Sequence, residues 1–514
     1  MRIDDRDRLT IRSGIIFLLL AHLYRWTNAI YNHDSLLINQ IDSRWQISLG
    51  RIWNPLYVYL RGRIVSPVPC AVCGSVFLIA AMLLTVRLLD IRRKSSVILL
   101  CGMMATHETL AFVNSGFLLS FDLDMLALLF SVLAVWFSRK EIRMHWLLMV
   151  ICLTACLGLF QSYLEVTLVL IQILILREML AGESADKLWG YGIRCIIALI
   201  AGGAVYLICL RLVLRLSGVQ AANTYNGLMQ IKDLIGADLL SLLKKTWLLG
   251  FRYMCSPETM HRGVSAALNI LLGLAAGGLL LVYSRRQKWK PGHYVLLLFL
   301  AAVMPLSMNV SYFLTSGMKH GLMTYSFVMY FVLVIMVFDV CLADQAGWQS
   351  RFHILPKLGL AVLIFNHISF ANALYVKKDL EYDAALSLMT RLTYRMETTE
   401  GYVVGETPIA VLGVLDDSPL SVERGGFAFV NDMFVGTMHR FGLSYLETYG
   451  LYFRNILGYP VKMVPEDDLK DVMQIKEVME MPVFPYEGSV KMVEGTLVIK
   501  LSEDMRTEKQ RGGY

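Results

Sequence analysis

Charged residues are scarce in this chain, and their scarcity excludes most soluble folds. Of its 514 residues 56% are hydrophobic and only 17% are charged, whereas soluble domains average about 25% charged residues. A soluble protein this apolar could not cover its surface with polar groups. The apolar residues also cluster in long blocks, such as 76–86 and 295–304. Blocks of about 20 mostly apolar residues match the thickness of a bilayer core, so the composition predicts a polytopic α-helical membrane protein.

Several functional signatures are missing from the sequence as well. It contains no Walker motif, no dinucleotide fingerprint and no metalloprotease helix, which argues against a nucleotide-driven pump. The sequence also lacks a stripe of basic residues with interleaved aromatics, the pattern that would indicate a nucleic-acid partner. Cys70 and Cys73 form a CxxC pair, but without a second pair they are better interpreted as small buried residues of a membrane helix than as zinc ligands. A divalent metal is compatible with the acidic loops described below, yet no pattern requires one, and no other cofactor is predicted.

About eleven apolar segments alternate with polar connections. Arg/Lys clusters at 92–94, 139–143 and 285–290 mark the connections expected on the inside of the membrane. Long outer loops are then expected at 31–66 and 217–262, and the parity of the count puts the C-terminus outside. The predicted spans are about 13–30, 67–89, 96–113, 118–137, one ending near 160, one beginning near 163, 193–216, one ending at 285, two around an outer loop at 309–320, and 358–375.

The composition changes after Lys377, which predicts two domains: a transmembrane domain over residues 1–378 and an extracytoplasmic domain over 379–514. Apolar periodicity predicts helices at 379–398 and 466–479. The run 408–413 is typical of a buried strand, and two short runs around Glu494-Gly495 predict a terminal β-hairpin. Mixed helices and strands in about 135 residues indicate one small α/β domain.

The first outer loop is the segment richest in reactive side chains. Apolar residues from Ile47 to Tyr59 recur at near-helical spacing, which predicts one amphipathic helix in the membrane interface. The loop also carries Arg44, Arg51, Arg61 and Arg63, although arginine on the translocated side opposes correct insertion. An anionic ligand or anionic head groups would account for these residues.

Asp34 in this loop lies just beyond the first predicted span, where its carboxylate can stay partly desolvated and accept a proton from an incoming hydroxyl. Asp42 is the second carboxylate candidate in the same loop. Arg51, Arg61 or Arg63 could hold a phosphate, because the planar guanidinium matches phosphate geometry. The alternative is that all of them are solvated loop residues and interfacial anchors.

Asp122 and Asp124 lie inside an otherwise apolar stretch. Ionisable residues at membrane depth usually face a polar cavity. Two residues apart on a helix, the two carboxylates cannot share one face, so one is expected to face a cavity and the other to lie at its boundary. The alternative is that both stabilise a helix start.

Four further residues are candidates for substrate contact. Gln161 and Tyr163 lie at the turn between spans five and six, and Lys319 and His320 precede span ten, where an outer cation could meet a phosphate. The plainer interpretations are that the neighbouring Glu165 stabilises a helix start at this turn and that Lys319 is an interfacial lysine.

Taken together, these segments resemble the bacterial GtrII-like glucosyltransferase family. The likeness covers nearly the whole chain, and the order and spacing of the motifs carry it, because each motif alone is loose. The motifs are His33-Asp-Ser-Leu36, Asp42, Trp45, Ser48-Leu-Gly-Arg51, Pro55, Arg61-Gly62, Asp122-Leu-Asp-Met-Leu-Ala127, Phe160-Gln-Ser-Tyr163, Asn372 to Tyr375, Tyr486-Glu-Gly-Ser-Val-Lys491 and Val498-Ile-Lys-Leu501.

The resemblance implies a GT-C-type fold in the bacterial cytoplasmic (inner) membrane. It implies transfer of glucose from a polyprenyl-phosphate carrier to a surface polysaccharide such as O-antigen, on the outer face. It also implies that an acidic residue of the first outer loop is catalytic, which here means Asp34 first and Asp42 second. Many GT-C enzymes have adjacent acidic residues there, whereas Asp34 is flanked by His33 and Ser35, so the choice between the two stays open.

Two other classes of protein fit parts of the sequence. A flippase for a lipid-linked sugar would place charges near the bilayer midplane and show internal repeats, but here the polar residues cluster in outer loops and no repeat is apparent. A non-catalytic glycan-binding membrane protein would use the external domain. The outer-loop carboxylates favour the enzyme.

Overall fold

The computed structural model describes residues 4–31, 35–36, 42–62, 66–140, 144–222, 238–314, 320–342, 354–414, 425–430, 446–507 and 510. Asp34, Arg63 and Lys319 lie outside the described residues. Contacts divide the chain into two units. Unit 1 comprises Met1–Thr27, Ile41–Asn114 and Leu118–Asn372, and unit 2 comprises Asn28–Gln40, Ser115–Phe117 and Ala373–Tyr514.

Unit 1 is built from helices in the part of the chain that is described, and the last of them continues into unit 2. They are α1 (Asp5–Thr27), α2 (Ser43–Ser48), α3 (Asn54–Leu60), α4 (Pro67–Leu88), α5 (Lys94–Thr106), α6 (Glu108–Phe117), α7 (Phe121–Ser138), α8 (His145–Leu159), α9 (Leu164–Leu180), α10 (Ala185–Ser217), α11 (Leu239–Cys255), α12 (Arg262–Arg286), α13 (Pro291–Ser307), α14 (Val310–Leu314), α15 (Val328–Cys341) and α16 (Ile354–Glu397).

Five helical segments among the described residues are long and apolar enough to cross a membrane. They are α4, the run Lys94–Ser138 that contains α5 to α7, α10, α12 and α16, and three shorter apolar helices accompany them. Proline in the first turn starts α4 and α13, where its missing N–H has no cost. The chain is therefore a mostly helical membrane protein, as the composition predicted, while the number of eleven spans stays a prediction.

The structure corrects two expectations about the long loops. The amphipathic segment of the first loop is not one helix but two, α2 and α3. Gly50 has a φ of +82° and Pro55 occupies the start of α3, so neither residue can continue a preceding helix. The second correction is α11, a helix of 17 residues within the segment 217–262 that was interpreted as a loop.

Unit 2 contains a four-stranded sheet. Its strands are β1 (Pro408–Leu412), β2 (Lys462–Met463), β3 (Val490–Val493) and β4 (Thr496–Lys500), in the order β2-β1-β4-β3. β1 runs parallel to both neighbours, and β3 and β4 are antiparallel. The predicted hairpin is confirmed: Glu494 and Gly495 have φ values of +46° and +77°, which a two-residue hairpin turn of this hand requires.

Helices surround the core of unit 2, and two differ from the predicted ones. The predicted helix 379–398 is the last part of α16 and has no separate beginning. The predicted helix 466–479 is broken at Ile475, whose ψ of 124° is extended. The short elements are α17 (Leu446–Leu451), a π-helical turn Tyr452–Ile456, a 3-10 turn Glu466–Asp468, α18 (Leu469–Gln474) and α19 (Lys476–Met479).

Candidate functional site

The predicted residues that the structure brings together lie in unit 1, where α2 and α3 meet the beginning of α7 and the turn after α8. Asp42 is the N-cap of α2. Its exposed carboxylate accepts hydrogen bonds from the backbone N–H groups of Arg44 (2.9 Å) and Trp45 (3.1 Å). Both bonds go to Oδ1, which gives one oxygen of the second base candidate an ordinary capping role.

Gln161 and Tyr206 fix the connection between α2 and α3. The Gln161 amide donates to the Leu49 carbonyl (3.1 Å), and the Tyr206 hydroxyl donates to the Gly50 carbonyl (3.0 Å). A Cβ at Gly50 would lie 2.5 Å from the Tyr206 hydroxyl, so this close approach requires glycine. Gln161 was predicted to contact substrate, but its described contacts position the loop.

Trp53 anchors the same loop to α8. Its backbone N–H donates to the Gly158 carbonyl (3.0 Å), and its indole N–H donates to the Thr154 carbonyl (3.3 Å). A Cβ at Gly158 would lie 2.2 Å from the Trp53 ring. The loop is therefore fixed by backbone contacts that a sequence pattern does not reveal.

Arg61 and Asp122 form a buried ion pair. One terminal nitrogen of Arg61 (Nη1) lies 2.7 and 2.6 Å from the two Asp122 oxygens, with the two side chains only 6% and 0% exposed. The same nitrogen also reaches the Leu119 carbonyl at 3.2 Å. Asp122 further accepts a hydrogen bond from the Tyr57 hydroxyl at 3.0 Å, so two side chains of α3 and its C-cap meet at one carboxylate of α7.

The opposite edge of the Arg61 guanidinium has no hydrogen-bond partner among the described residues. Its Nε and Nη2 atoms are buried and make no hydrogen bond within the described residues. These two nitrogens form the side-on edge of arginine, which binds phosphate or carboxylate oxygens in a bidentate manner. A buried donor without a partner costs about 1–3 kcal/mol, so this edge is suited to an anionic ligand.

The charge states of this cluster follow from its contacts. Burial lowers the pKa of Arg61, but the neighbouring Asp122 carboxylate outweighs burial and raises it overall. Burial, together with the same carboxylate, raises the pKa of the Tyr57 hydroxyl well above its usual range. Arg61 is therefore a permanent cation, and Tyr57 acts as a hydrogen-bond donor.

Asp124 lies in the same first turn of α7 as Asp122 but has different surroundings. It is only 7% exposed, and no described residue donates a hydrogen bond to its carboxylate. The charges that act on it are the attractive Arg51 guanidinium and the repulsive Asp122 carboxylate. Asp122 and Asp124 therefore have different surroundings.

Arg51 and Tyr163 complete the surroundings of Asp124. The Arg51 guanidinium carbon lies 4.3 Å from the centre of the Phe160 ring, and its Nη1 lies 3.3 Å from the Gln46 side-chain oxygen. The Tyr163 hydroxyl is buried without a hydrogen-bond partner in the described chain. It is close enough to Asp124 for the two to interact electrostatically.

His320 is exposed and is the N-cap of the 3-10 turn Gly321–Met323. No cluster of three or more His, Cys, Asp or Glu side chains that could hold a metal ion occurs among the described residues. Tyr57 was not among the residues predicted from the sequence. It precedes Arg61 by four residues, which puts both side chains on one side of a helix, and this spacing could have identified it as a neighbour of Arg61.

The fold and this cluster define a helical membrane protein with a buried, charged site near the start of one membrane helix. Residues 23–338 match the family model described as Glucosyl transferase GtrII. The match covers more than half of the chain, so the protein belongs to this family, and the resemblance seen in the motifs within residues 23–338 is confirmed. No curated protein and no solved structure matches the chain. Membership of a glucosyltransferase family supports a role in glucosyl transfer.

Proposed function

We propose that this protein transfers glucose, or a related hexose, from a polyprenyl-phosphate carrier to a cell-surface polysaccharide on the outer face of the cytoplasmic membrane. The observation that carries the proposal is the unpaired side-on edge of Arg61, whose Nε and Nη2 are buried without a partner among the described residues. A lipid-linked sugar phosphate presents the phosphoryl oxygens that such an edge binds best. Residues 23–338, matched by the glucosyltransferase family, contain this arginine.

The reaction requires no nucleotide, because the carrier phosphate is already a leaving group. An acceptor hydroxyl oxygen forms a bond to the anomeric carbon, and the bond between that carbon and the phosphate oxygen breaks. The hydroxyl proton passes to a carboxylate base, and the departing polyprenyl phosphate takes the bonding electrons. Arg61 and Arg51 would stabilise the negative charge that develops on the phosphate.

The assignment of the base stays a proposal, with Asp34 as the first candidate. Asp42 is the weaker candidate, because its carboxylate already caps α2 through two backbone hydrogen bonds. Asp124, buried and without a described hydrogen-bond donor, is suited to accept a hydrogen bond from a sugar hydroxyl. Asp122 is suited to hold Arg61 in place, because it is already paired with it.

The proposal is tested by sugar transfer from a synthetic polyprenyl-phosphate-glucose to a polysaccharide acceptor, with the protein in lipid vesicles. General base catalysis contributes roughly 100- to 10,000-fold, so Asp34→Asn should reduce the rate by at least about 100-fold while the protein still inserts. Asp42→Asn is the matched comparison and should keep most activity. If Asp42→Asn abolishes transfer and Asp34→Asn does not, the base is Asp42. If no transfer occurs with the unaltered protein, the proposed function is wrong.

Binding of the donor phosphate needs a separate measurement. A hydrogen bond to a charged group contributes roughly 1.5–3 kcal/mol, so Arg61→Gln should weaken donor affinity by about 10- to 100-fold. Arg51→Gln and Lys319→Gln probe the other two predicted cations. Unchanged donor affinity in all three variants would contradict the phosphate assignment. Lys187→Gln, which removes an exposed cation on α10, controls for the change in net charge.

A further inference from the structure

The helix that the sequence did not reveal, α11, has an unusual distribution of side chains. Its buried residues form a single narrow stripe of Leu242, Thr246 and Gly250. This stripe faces α13: a Cβ at Gly250 would lie 3.2 Å from the Cβ of Pro305, and the Trp247 indole N–H donates to the Ala302 carbonyl at 2.9 Å. The remainder of the helix surface is largely exposed.

Much of that exposed surface is apolar. Leu240 is 78% exposed, and Leu248 and Phe251 are 46% and 45% exposed. Leu240, Leu243, Trp247 and Phe251 are spaced by three and four residues, which puts them on one face of the helix. Lys244, four residues after Leu240 and three before Trp247, lies on the same side of the helix. An exposed, largely apolar face of this kind marks a contact with a membrane or with another protein.

The same helix carries three cations and no acidic residue. Lys244, Lys245 and Arg252 are exposed and form no ion pair or hydrogen bond with any described residue. Lys245 and Arg252 are seven residues apart, which is about two helical turns, so they share a side next to the apolar face. This combination is typical of helices that lie in the interface between lipid chains and head groups.

A transmembrane position does not suit α11. Its 17 residues extend about 25 Å, which is shorter than a typical bilayer core. Lys244 and Lys245 would lie near the middle of such a span, where an unpaired charge is costly. With the helix parallel to the membrane surface, the apolar face can enter the lipid chains while the lysines reach phosphate groups.

Contacts at the C-terminal end fix which way the helix faces. The Tyr253 hydroxyl lies 2.9 Å from Nε2 of His107, and the Tyr253 ring is stacked on Phe327 with centroids 3.8 Å apart. Asn269 on α12 donates to the Met254 carbonyl at 3.1 Å. Because these contacts set the rotation of α11, they also set the direction of its cationic side.

We propose that α11 lies in the membrane interface and binds anionic phospholipid head groups through Lys244, Lys245 and Arg252. Charge complementarity selects this occupant, since a neutral lipid would leave three cations without counter-charges. One basic residue near an anionic membrane surface favours binding of an anionic over a neutral lipid by about fivefold. This inference does not depend on the proposed transfer reaction and would hold for any activity of the protein.

The test uses Trp247, which is 37% exposed on the apolar face, as a reporter of the neighbouring lipid. The full protein is placed in phosphatidylcholine vesicles in which either brominated phosphatidylglycerol or brominated phosphatidylcholine quenches tryptophan fluorescence. Subtracting the signal of a Trp247→Phe variant isolates the contribution of this residue. The proposal predicts that the anionic lipid quenches Trp247 with at least about fivefold higher relative affinity than the neutral lipid.

Two triple variants separate the helix from general electrostatics. Substitution of Lys244, Lys245 and Arg252 by Gln should bring the preference close to one. Substitution of Arg285, Arg286 and Lys290 by Gln removes the same charge from exposed positions elsewhere and should leave it unchanged. Equal quenching by both lipids in the unaltered protein overturns the proposal, as does quenching by neither lipid, which would show that protein or water covers α11.

Discussion

Breaking the ion pair between Arg61 and Asp122 should destabilise the protein far more than breaking an exposed pair. The perturbation is Asp122→Asn, which keeps the shape of the side chain and removes its charge. Arg61, only 6% exposed, would then remain a buried cation whose described partners, the Leu119 carbonyl, the Cys70 sulfur and the amide oxygen at position 122, are all neutral. Removing one partner of a buried pair typically costs about 3–5 kcal/mol, because the other charge stays buried without compensation.

A double-mutant cycle measures the pairing itself. Asp122→Asn, Arg61→Gln and the double variant are unfolded with dodecyl sulfate in mixed micelles, and the free energy of unfolding is followed by circular dichroism. Each single variant should lose about 3–5 kcal/mol, while the double variant should lose clearly less than the sum, because it contains no unpaired charge. The difference isolates the interaction between the two side chains.

The exposed pair between Lys187 and Glu183 is the matched control. These side chains are 76% and 44% exposed with their charged atoms 3.3 Å apart, and such pairs contribute about 0.3–0.5 kcal/mol. Lys187→Gln should therefore have almost no effect on the free energy of unfolding. If Asp122→Asn costs as little as Lys187→Gln, or if the two losses at Arg61 and Asp122 simply add, the pair is not the buried interaction described here.

Three further predictions address topology, packing and pH. A phosphatase fused after Lys378 should be active, because residues 379–514 are predicted to lie outside; activity from a cytosolic reporter alone would refute that orientation. Gly74→Ala puts a Cβ 2.4 Å from the Phe121 ring and should lower the free energy of unfolding by about 1–3 kcal/mol, whereas Gly203→Ala, with nothing within 4 Å, should not. Burial raises the pKa of Asp90, but its arginine partners outweigh burial and lower the pKa overall. The stability that the ionised Asp90 contributes is therefore present above the pKa of an unfolded aspartate, near 4, and is lost as the pH falls through the pKa of the folded state. Unfolding of Asp90→Asn should lack that acid-dependent loss.

Local sequence patterns predicted the elements whose signals are local. The predicted span 67–89 corresponds to α4, Pro67–Leu88, because a proline begins it and a basic cluster follows it. The terminal hairpin was predicted because Glu494-Gly495 can adopt the left-handed conformations that its turn requires. The strand 408–413 was predicted for a similar reason, since an apolar run ends at Gly413, whose φ is +85°.

Elements whose limits depend on tertiary packing were predicted less well. The sequence suggested a span ending near 375 and a new helix from 379, yet α16 continues from Ile354 to Glu397 because no glycine or proline interrupts it there. The helix α11 was missed because its buried stripe contains Thr246 and Gly250, which do not give an apolar periodicity. The position of a helix that packs through small residues is decided by its neighbour, here α13.

At the candidate site, the sequence predicted which residues matter but not which of them are paired. Arg61 and Asp122 were both selected from the sequence, since an arginine in an outer loop and a carboxylate in an apolar stretch are each unexpected. Their contact spans 61 residues of chain, and no local pattern links them. The pairing changes their interpretation: Asp122 occupies Nη1 of Arg61 and leaves Nε and Nη2 unpaired among the described residues. An arginine that is held at one edge by a carboxylate presents its other edge in a fixed direction. For this reason Arg61 is better suited to bind a phosphate than an arginine whose side chain is free to move.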